Sequence, residues 1–357
     1  MSASARPQTA TSGGSARPSA AAPGREPAGQ GQPHPMIPRQ LTVGVIGAGR
    51  VGAVLGAALG RAGHQVVAAA GVSTAARDRI ARLLPETAVR PADEVARAAT
   101  DLLLIAVPDD SLAPVVAGLA ATGALHPGQV VAHTSGAHGL DVLAPAVAVG
   151  AHPLALHPAM TFTGTAEDLH RLPGISYGVT VPEPLRPFAV RLVADLGGVP
   201  EWIAEPDRPL YHAALAHGAN HLVTLVNEAA ELLRAAGVAQ PAKVLGPLLR
   251  AALDNSLRLG DAALTGPVSR GDAGTIARHL DRLAVTAPES VPGYLALARR
   301  TADRAIAAGR LRPADAELLL GVLADRDRQV LADRDRQVLA DGDRTAPADR
   351  DRKVAAA

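Results

Sequence analysis

Leu41-Thr42-Val43-Gly44-Val45-Ile46-Gly47-Ala48-Gly49-Arg50-Val51-Gly52 is the stretch on which the reading of this chain turns. Its first six residues form a short, mostly apolar run of strand character, and the Ala-rich segment beyond Gly52 has helical character. The Gly-x-Gly-x-x-Gly pattern falls at the bend between them. Gly47 there permits a tight turn, Gly49 lets a diphosphate approach the backbone, and Gly52 lets helix and strand pack closely. Free amides at a helix start receive negative charge, so Gly47, Ala48, Gly49, Arg50, Val51 and Gly52 are candidate cofactor-binding residues. A glycine-rich turn that packs a helix without any ligand is the alternative.

A site preferring NAD places Asp or Glu at the end of the second strand, where it holds the ribose hydroxyls. Here that segment reads Ala70-Gly71-Val72-Ser73-Thr74-Ala75-Ala76-Arg77, with no carboxylate. Ser73, Thr74 and Arg77 offer hydroxyl and guanidinium contacts to a 2′-phosphate, which favours NADP over NAD. The competing reading is plain helix capping by Ser73 or Thr74, with Arg77 in solvent. Val107 and Pro108 end a later strand at the same edge, and the backbone around Pro108 is expected to border the nicotinamide ribose. Asp109, Asp110 and Ser111 read equally well as helix-start residues.

Apolar runs and Ala-rich stretches alternate as far as residue 205, the signature of a parallel sheet with crossover helices. Strands are predicted at 41–46, 65–70, 101–107, 129–134, 147–152, 175–181 and 199–203. From there the pattern is helical, with helices predicted at 209–236, 241–258, 274–284 and 291–308, Asp207 as N-cap and Gly237 as stop. The expected fold is an α/β Rossmann domain, doubly wound with a mostly parallel sheet, over residues 41–205. An all-α domain for substrate binding and dimerisation follows over 206–323. Residues 1–40, rich in Ala, Ser, Pro, Gly and Gln, read as a disordered leader. Residues 324–357 repeat an eight-residue unit, Ala324 to Leu331 then Ala332 to Leu339, and read as a polar tail or frayed helix.

Composition narrows the function classes. A formal net charge of +1 leaves no footprint for nucleic acid or an anionic membrane. The chain has no cysteine, which excludes disulfides, thiol nucleophiles and thiolate metal sites. No stretch nears the roughly 18 unbroken apolar residues of a membrane span, so a soluble, cytoplasmic protein is expected. Lysine occurs only at Lys243 and Lys353.

Four segments carry candidate chemistry. His133-Thr134-Ser135-Gly136 and His152-Pro153 through His157-Pro158-Ala159-Met160 follow predicted strands at the glycine-rich edge, and imidazole titrates near neutral pH, as a proton donor to a carbonyl must. Ser135 and the Gly136 amide suit a substrate carboxylate; each histidine also fits a neutral ring bonded to backbone. At 100° per residue His217, Asn220, His221, Thr224 and Glu228 share one helical arc, opposite Leu215, Leu222, Val226 and Leu233. That stripe suits the lining of a partly buried pocket, and a two-histidine metal site is the lesser alternative, no third ligand being fixed by spacing. In Leu264-Thr265-Gly266-Pro267-Val268-Ser269-Arg270-Gly271-Asp272, Arg270 either clamps an acidic substrate or pairs with Asp272.

With these motifs assembled, the chain resembles the bacterial family of Rossmann-like proteins that carry domain of unknown function 2520. The matching stretches are Gly47 to Gly52, Val107 to Asp109, His133 to Gly136, His157 to Thr161, Tyr211 through Asn220, and Leu264 to His279, and the likeness covers roughly residues 41–323. That family is similar to ketopantoate reductases, prephenate dehydrogenases, pyrroline-carboxylate reductases and 6-phosphogluconate-type dehydrogenases, which implies fold and cofactor class and a homodimer. His157-Pro158-Ala159-Met160 is similar to the His-Pro-Met segment of prephenate dehydrogenases, with His152-Pro153 a second register. Asn220 matches the Asn of the Lys-x-x-x-Asn pair of ketopantoate reductases, but Ala216 stands at the lysine position.

The expected function is NADP-dependent hydride transfer to or from a small, carboxylated oxo or hydroxy metabolite. His157, His217 and Asn220 are the candidate catalytic residues; His133, Ser135, Gly136, His221 and Arg270 are candidates for substrate binding; no metal is expected. A cofactor-binding sensor without turnover is the alternative.

Overall fold

The computed structural model describes residues 38–344. They divide between Glu205 and Pro206 into two compact units. The leader as far as residue 37 and the tail beyond Arg344 lie outside the described residues.

The first unit alternates strand and helix: β1 (Thr42–Ile46), α1 (Arg50–Arg61), β2 (Gln65–Ala70), α2 (Thr74–Leu83), β3 (Ala88–Val89), α3 (Ala92–Ala98), β4 (Leu102–Ile105), α4 (Asp109–Ala121) and β5 (Val130–His133). Then come α5 (Ala144–Ala148), β6 (His152–Pro158), α6 (Glu167–Arg171), β7 (Ser176–Thr180), α7 (Arg186–Asp195) and β8 (Val199–Trp202). The eight strands form one sheet in the order β3-β2-β1-β4-β5-β6-β7-β8. β1 to β6 are mutually parallel, β7 enters antiparallel to β6, and β8 runs parallel to β7. Strand order reverses between β1 and β4, the switch point outside which α/β sheets open a crevice.

Alternation along each strand sorts side chains into two cores. Val43, Val45, Leu104, Leu154 and Leu156 pack with Val54 and Leu55 of α1 and Phe188 of α7. Ile46, Leu103, Ile105 and Val131 pack with Val95 of α3, Leu112 and Val116 of α4, and Ala146 of α5. Each fully buried leucine contributes about 2 kcal/mol. These opposed layers hold the carboxyl ends of β1, β4, β5 and β6 at one edge.

One predicted strand is wrong. Residues 147–152 are not a strand: Ala144–Ala148 is helix, Gly150 turns the chain at φ 90°, and β6 begins only at His152. Val147 and Val149 misled because their branched side chains favour strands, whereas Pro153 and Pro158 argued against a central strand over the segment that forms one. Both prolines sit near its ends. The two-residue strand β3 was also missed, being too short to show a period.

The second unit is helical: α8 (Arg208–Leu215), a π-helical segment (Ala216–Asn220), α9 (His221–Ala235), α10 (Pro241–Leu259), α11 (Ala273–Thr286), α12 (Val291–Ala307) and α13 (Pro313–Arg344). Gly237 ends α9 at φ 89°, its amide bonded to the Arg234 carbonyl. The core of the unit is Ile276 and Leu280, Leu295, Ala298 and Ala302, and Leu319 and Leu323, from α11, α12 and α13. Through Arg344 the octapeptide repeat is continuous helix. Its first copy is docked, with Asp327 3.1 Å from Arg299 and Arg326 paired with Asp281. None of the helices among the described residues is long and apolar enough to cross a membrane.

Candidate functional site

The turn from β1 into α1 is shaped by what its glycines exclude. Gly47 has φ 84°, and a Cβ there would lie 2.6 Å from the Ala106 carbonyl oxygen. A Cβ on Gly52 would lie 2.4 Å from the Gly47 carbonyl oxygen. Gly49 differs, since the nearest atom to its Cβ position is 3.9 Å away. Gly47 and Gly52 are therefore required by the protein's own packing, whereas Gly49 leaves room outside the backbone. The Gly47 and Ala48 amides bond to the Ala70 carbonyl, 3.0 and 2.9 Å away, which ties the turn to the end of β2. No side chain among the described residues caps α1, and its first turn has no acidic residue, so the amides of Arg50, Val51 and Gly52 present an uncompensated positive helix end. Val107 packs beside the Gly47 turn, its Cγ1 2.9 Å from that Cβ position, and Pro108 is exposed as the N-cap of α4.

At the end of β2, Ser73 caps α2: its Oγ accepts from the Ala76 amide at 3.1 Å. The hydroxyl proton of Ser73 stays free to donate, and Thr74 and Arg77 beside it are exposed. The fold adds a cation that the sequence reading missed. Gly164, at φ 79°, lies where a Cβ would meet Arg79 Nε at 2.7 Å and Arg50 Cγ at 2.8 Å. The loop after β6 thus reaches the start of α1 and the Arg79 side chain together. Buried Asp168 fixes that loop, accepting from the Thr163 amide (2.8 Å), the Thr163 hydroxyl (2.9 Å) and the Gly164 amide (2.7 Å). The only sequence signal for this was Thr163-Gly164-Thr165 ahead of an acidic helix start.

His133, Ser135 and Gly136 are buried, and the first two are bonded within the loop after β5. His133 is fully buried; its Nδ1 accepts from the Ser135 amide at 3.2 Å, so its Nε2 proton goes to the Gly139 carbonyl at 2.8 Å. Ser135 Oγ accepts from the Ala137 and His138 amides, and Gly136 is buried. These groups build the loop after β5. Glu205 completes it, its carboxylate accepting from the Leu140 amide at 2.8 Å and the Asp141 amide at 3.1 Å. It occupies the space a Cβ on Gly139 would need. Glu205 was invisible in the sequence because 65 residues separate it from Leu140.

β6 separates the two histidine registers. It runs parallel to β5, so its start, His152, lies at the far edge of the sheet and its end at the edge of the Gly47 turn. His157 is half-buried, one residue before that end, and alternates with Leu156 so that it shares the α3–α5 face of the sheet. His152 is thereby removed from the candidate site.

In the second unit, His217 and His221 meet across the π-helical segment. Their Nδ1 atoms are 3.2 Å apart and their rings stand nearly perpendicular, at 88°. One ring must donate and the other accept, so the two Nδ1 atoms share a single proton. A π segment widens the turn, so the 100° spacing does not carry across Ala216–Asn220. His217, Asn220, His221 and Thr224 are all exposed, and within the second unit alone they line no enclosed pocket among the described residues. Among the described residues there is no group of three His, Cys, Asp or Glu that could hold a metal. Asp272 caps α11, accepting from the Thr275 amide at 3.0 Å. That amide, the Thr275 hydroxyl and the charges of Arg278 and Arg270 hold its carboxyl below the usual Asp range. Arg270 is exposed and makes no ion pair with it among the described residues.

A Rossmann-like domain model matches residues 27–158, and the model described as domain of unknown function DUF2520 matches residues 175–301. The chain pairs a Rossmann-like domain with a DUF2520 domain. The DUF2520 match begins at β7, so the two reversed strands of the sheet fall within it although they pack in the first unit. No curated protein matches the chain in sequence. Among solved structures, the Bacteroides fragilis protein BF3122, assigned as an NADP oxidoreductase, superposes with a TM-score of 0.64 at 23% identity, over 74% of this chain and 99% of that one. Thermotoga maritima protein TM1727 gives 0.54 at 17%, over 75% and 99%. A reductive aminase from Aspergillus terreus, in complex with NADPH and ethyl levulinate, gives 0.54 at 18%, over 78% and 98%. The likeness is one of fold.

Proposed function

We propose that this Rossmann-like, DUF2520-bearing chain is an NADP-dependent oxidoreductase acting on a small, carboxylated oxo or hydroxy compound. The observation that carries the reading is the α1 start: an uncapped helix end at the strand-order switch, with Gly49 leaving space that Gly47 and Gly52 do not. The residues present fit a dinucleotide. Amides of Arg50, Val51 and Gly52 would take its diphosphate, Val107 and Pro108 would border the nicotinamide ribose, and Ser73, Thr74, Arg77 and Arg79 would take a 2′-phosphate. The missing carboxylate at the end of β2 argues against NAD. Two of the structures of similar fold are described as NADP or NADPH proteins, which supports the same cofactor.

When bound, the nicotinamide supplies or accepts the hydride; this chain supplies the proton and the orientation. His157 ends at the cofactor edge and is the first candidate to hold that proton. The His217–His221 pair is the second, with one shared proton at Nδ1 and Asn220 beside it. Arg270 is the candidate for the substrate's acidic group. Ala216 at the position of the relatives' lysine favours a second reading, a cofactor sensor without turnover.

A homodimer is part of the proposal. Leu222, Val223 and Leu225 of α9 and Leu248, Leu253 and Leu257 of α10 are exposed, and a second copy would cover them.

The test is thermal unfolding with NADPH and NADH, followed by a screen of carboxylated metabolites for NADPH consumption. NADPH at 100 times its Kd should stabilise the fold by about 2.7 kcal/mol and NADH by clearly less. No rise in Tm at millimolar NADPH sinks the reading. With a substrate in hand, His157→Ala and His217→Ala should lower kcat while NADPH affinity persists; unchanged rates in both would leave the sensor.

A further inference from the structure

The loop Leu264–Gly271 and the turn after α12 border an open pocket of about 490 Å³ within the second unit alone. Its size suits a small metabolite. Leu264, Thr265, Ser269, Arg270, Gly309 and Arg310 line it. Arg270 and Arg310 both line this pocket, and neither is in an ion pair with a carboxylate among the described residues.

The acids nearest in sequence are engaged elsewhere. Asp272 caps α11, Asp261 pairs with Arg304 at 2.7 Å, and Asp315 pairs with Arg312 at 2.6 Å. Three carbonyls in the last turn of α12, which would repel an anion, are also occupied. The Ala308 amide bonds to the Arg304 carbonyl, Gly309 to Ile306, and Arg310 and Leu311 to Ala305. Gly309, at φ 67°, makes the turn that places Arg310. On the other wall, Gly271 at φ 72° lets the loop close on α13, where a Cβ would lie 2.7 Å from the Asp315 carbonyl oxygen. Ser269 is buried and donates to the Gly266 carbonyl at 3.1 Å, bracing the loop, while the exposed Thr265 hydroxyl remains available. The wall is therefore braced and cationic, with Asp272 acting on Arg270 only through its charge and not as an ion-pair partner.

We propose that this pocket binds a small doubly charged oxyanion between Arg270 and Arg310, either a phosphate monoester or a dicarboxylate. Planar guanidinium forks match the oxygen spacing of both groups, and two forks demand more than the single charge of a monocarboxylate. The inference deepens the role proposed for Arg270 and rests on that reading only for its link to turnover; binding itself needs no cofactor.

The experiment is isothermal titration of the full chain, without NADPH and at low salt, with inorganic phosphate and with succinate as probes. Saturable binding of either is expected, phosphate alone marking the monoester class and succinate alone the dicarboxylate class. Arg270→Gln and Arg310→Gln should each weaken it about tenfold or more, and the double variant should abolish it with Tm unchanged, since both side chains are exposed. Arg77→Gln should leave it intact. The proposal is overturned if neither probe binds, or if binding survives in the double variant and is lost in Arg77→Gln, which would place the anion at the α1–α2 edge. NADPH stabilisation is read separately, so either conclusion can fail without the other.

Discussion

The turn Gly47–Gly52 and the π-helical segment Ala216–Asn220 each carry candidate chemistry, and they are built on opposite principles. The first is made of backbone: its amides, its positive φ and its lack of Cβ atoms are set by contacts from β2 and from the end of β4. The second is made of side chains on an exposed helix, where His217 and His221 find each other but little else touches them. A site made of backbone tolerates almost no substitution where a Cβ has no room, as at Gly47 and Gly52, and shows in sequence as glycine. One made of exposed side chains tolerates substitution structurally and shows only through chemistry.

The largest effect should come from the turn. Gly52→Ala should cost about 3 kcal/mol in urea unfolding, because its Cβ would meet a carbonyl oxygen that cannot move without shifting Gly47. Gly49→Ala should change stability by less than about 0.5 kcal/mol and still weaken NADPH binding, since only a ligand needs that space. If both variants unfold alike, the distinction between packing and ligand glycines is broken. Next is Asp168→Asn, expected to cost about 2 kcal/mol through three weakened bonds to a buried carboxylate, and to lower NADPH affinity by loosening the loop beside Arg50 and Arg79. Glu205→Gln should cost about 1 kcal/mol, read as a lower denaturant midpoint, by replacing charged acceptors at the Leu140 and Asp141 amides with a weaker one.

By contrast, His217→Ala should leave stability within about 0.5 kcal/mol of the parent, because the ring is exposed. A larger loss in calorimetry would show that the π segment is structural. Leu257→Glu on the exposed face of α10 should halve the sedimenting mass if a second copy covers it. The smallest effect concerns pH. The folded carboxyl of Asp272 titrates below its unfolded value, so its contribution is present above the usual Asp range and is lost as pH falls through the folded pKa. Asp272→Ala should therefore lower Tm at neutral pH by a little and by nothing at strongly acid pH.

The parallel sheet and its glycine-rich turn were legible because they obey local rules: apolar strands of period two, glycine where a Cβ has no room, and no acid after β2. The segment 147–158 was misread because branched side chains and prolines spoke against the structure that tertiary packing imposes. His133 and Ser135 carry the residue types of a site, but that they are buried and brace a loop could not be read from type alone, since burial and partners are not properties of a residue type. Arg79, Glu205 and Arg310 were passed over for the converse reason. Each gains its meaning from a neighbour distant in sequence or from a turn that places it: Gly164, Leu140 and Gly309.

The sequence by itself determined that this chain would fold as a Rossmann-like sheet followed by helices, and that its first turn would be compatible with a diphosphate, because hydrophobic period and glycine act within a few residues of themselves. Only the tertiary structure decided which histidine stands at the cofactor edge, which hydroxyls and carboxylates are spent on the loops, and that Arg270 shares a pocket with Arg310. Those facts depend on strand direction, burial and long-range pairing, which no local window of residues contains.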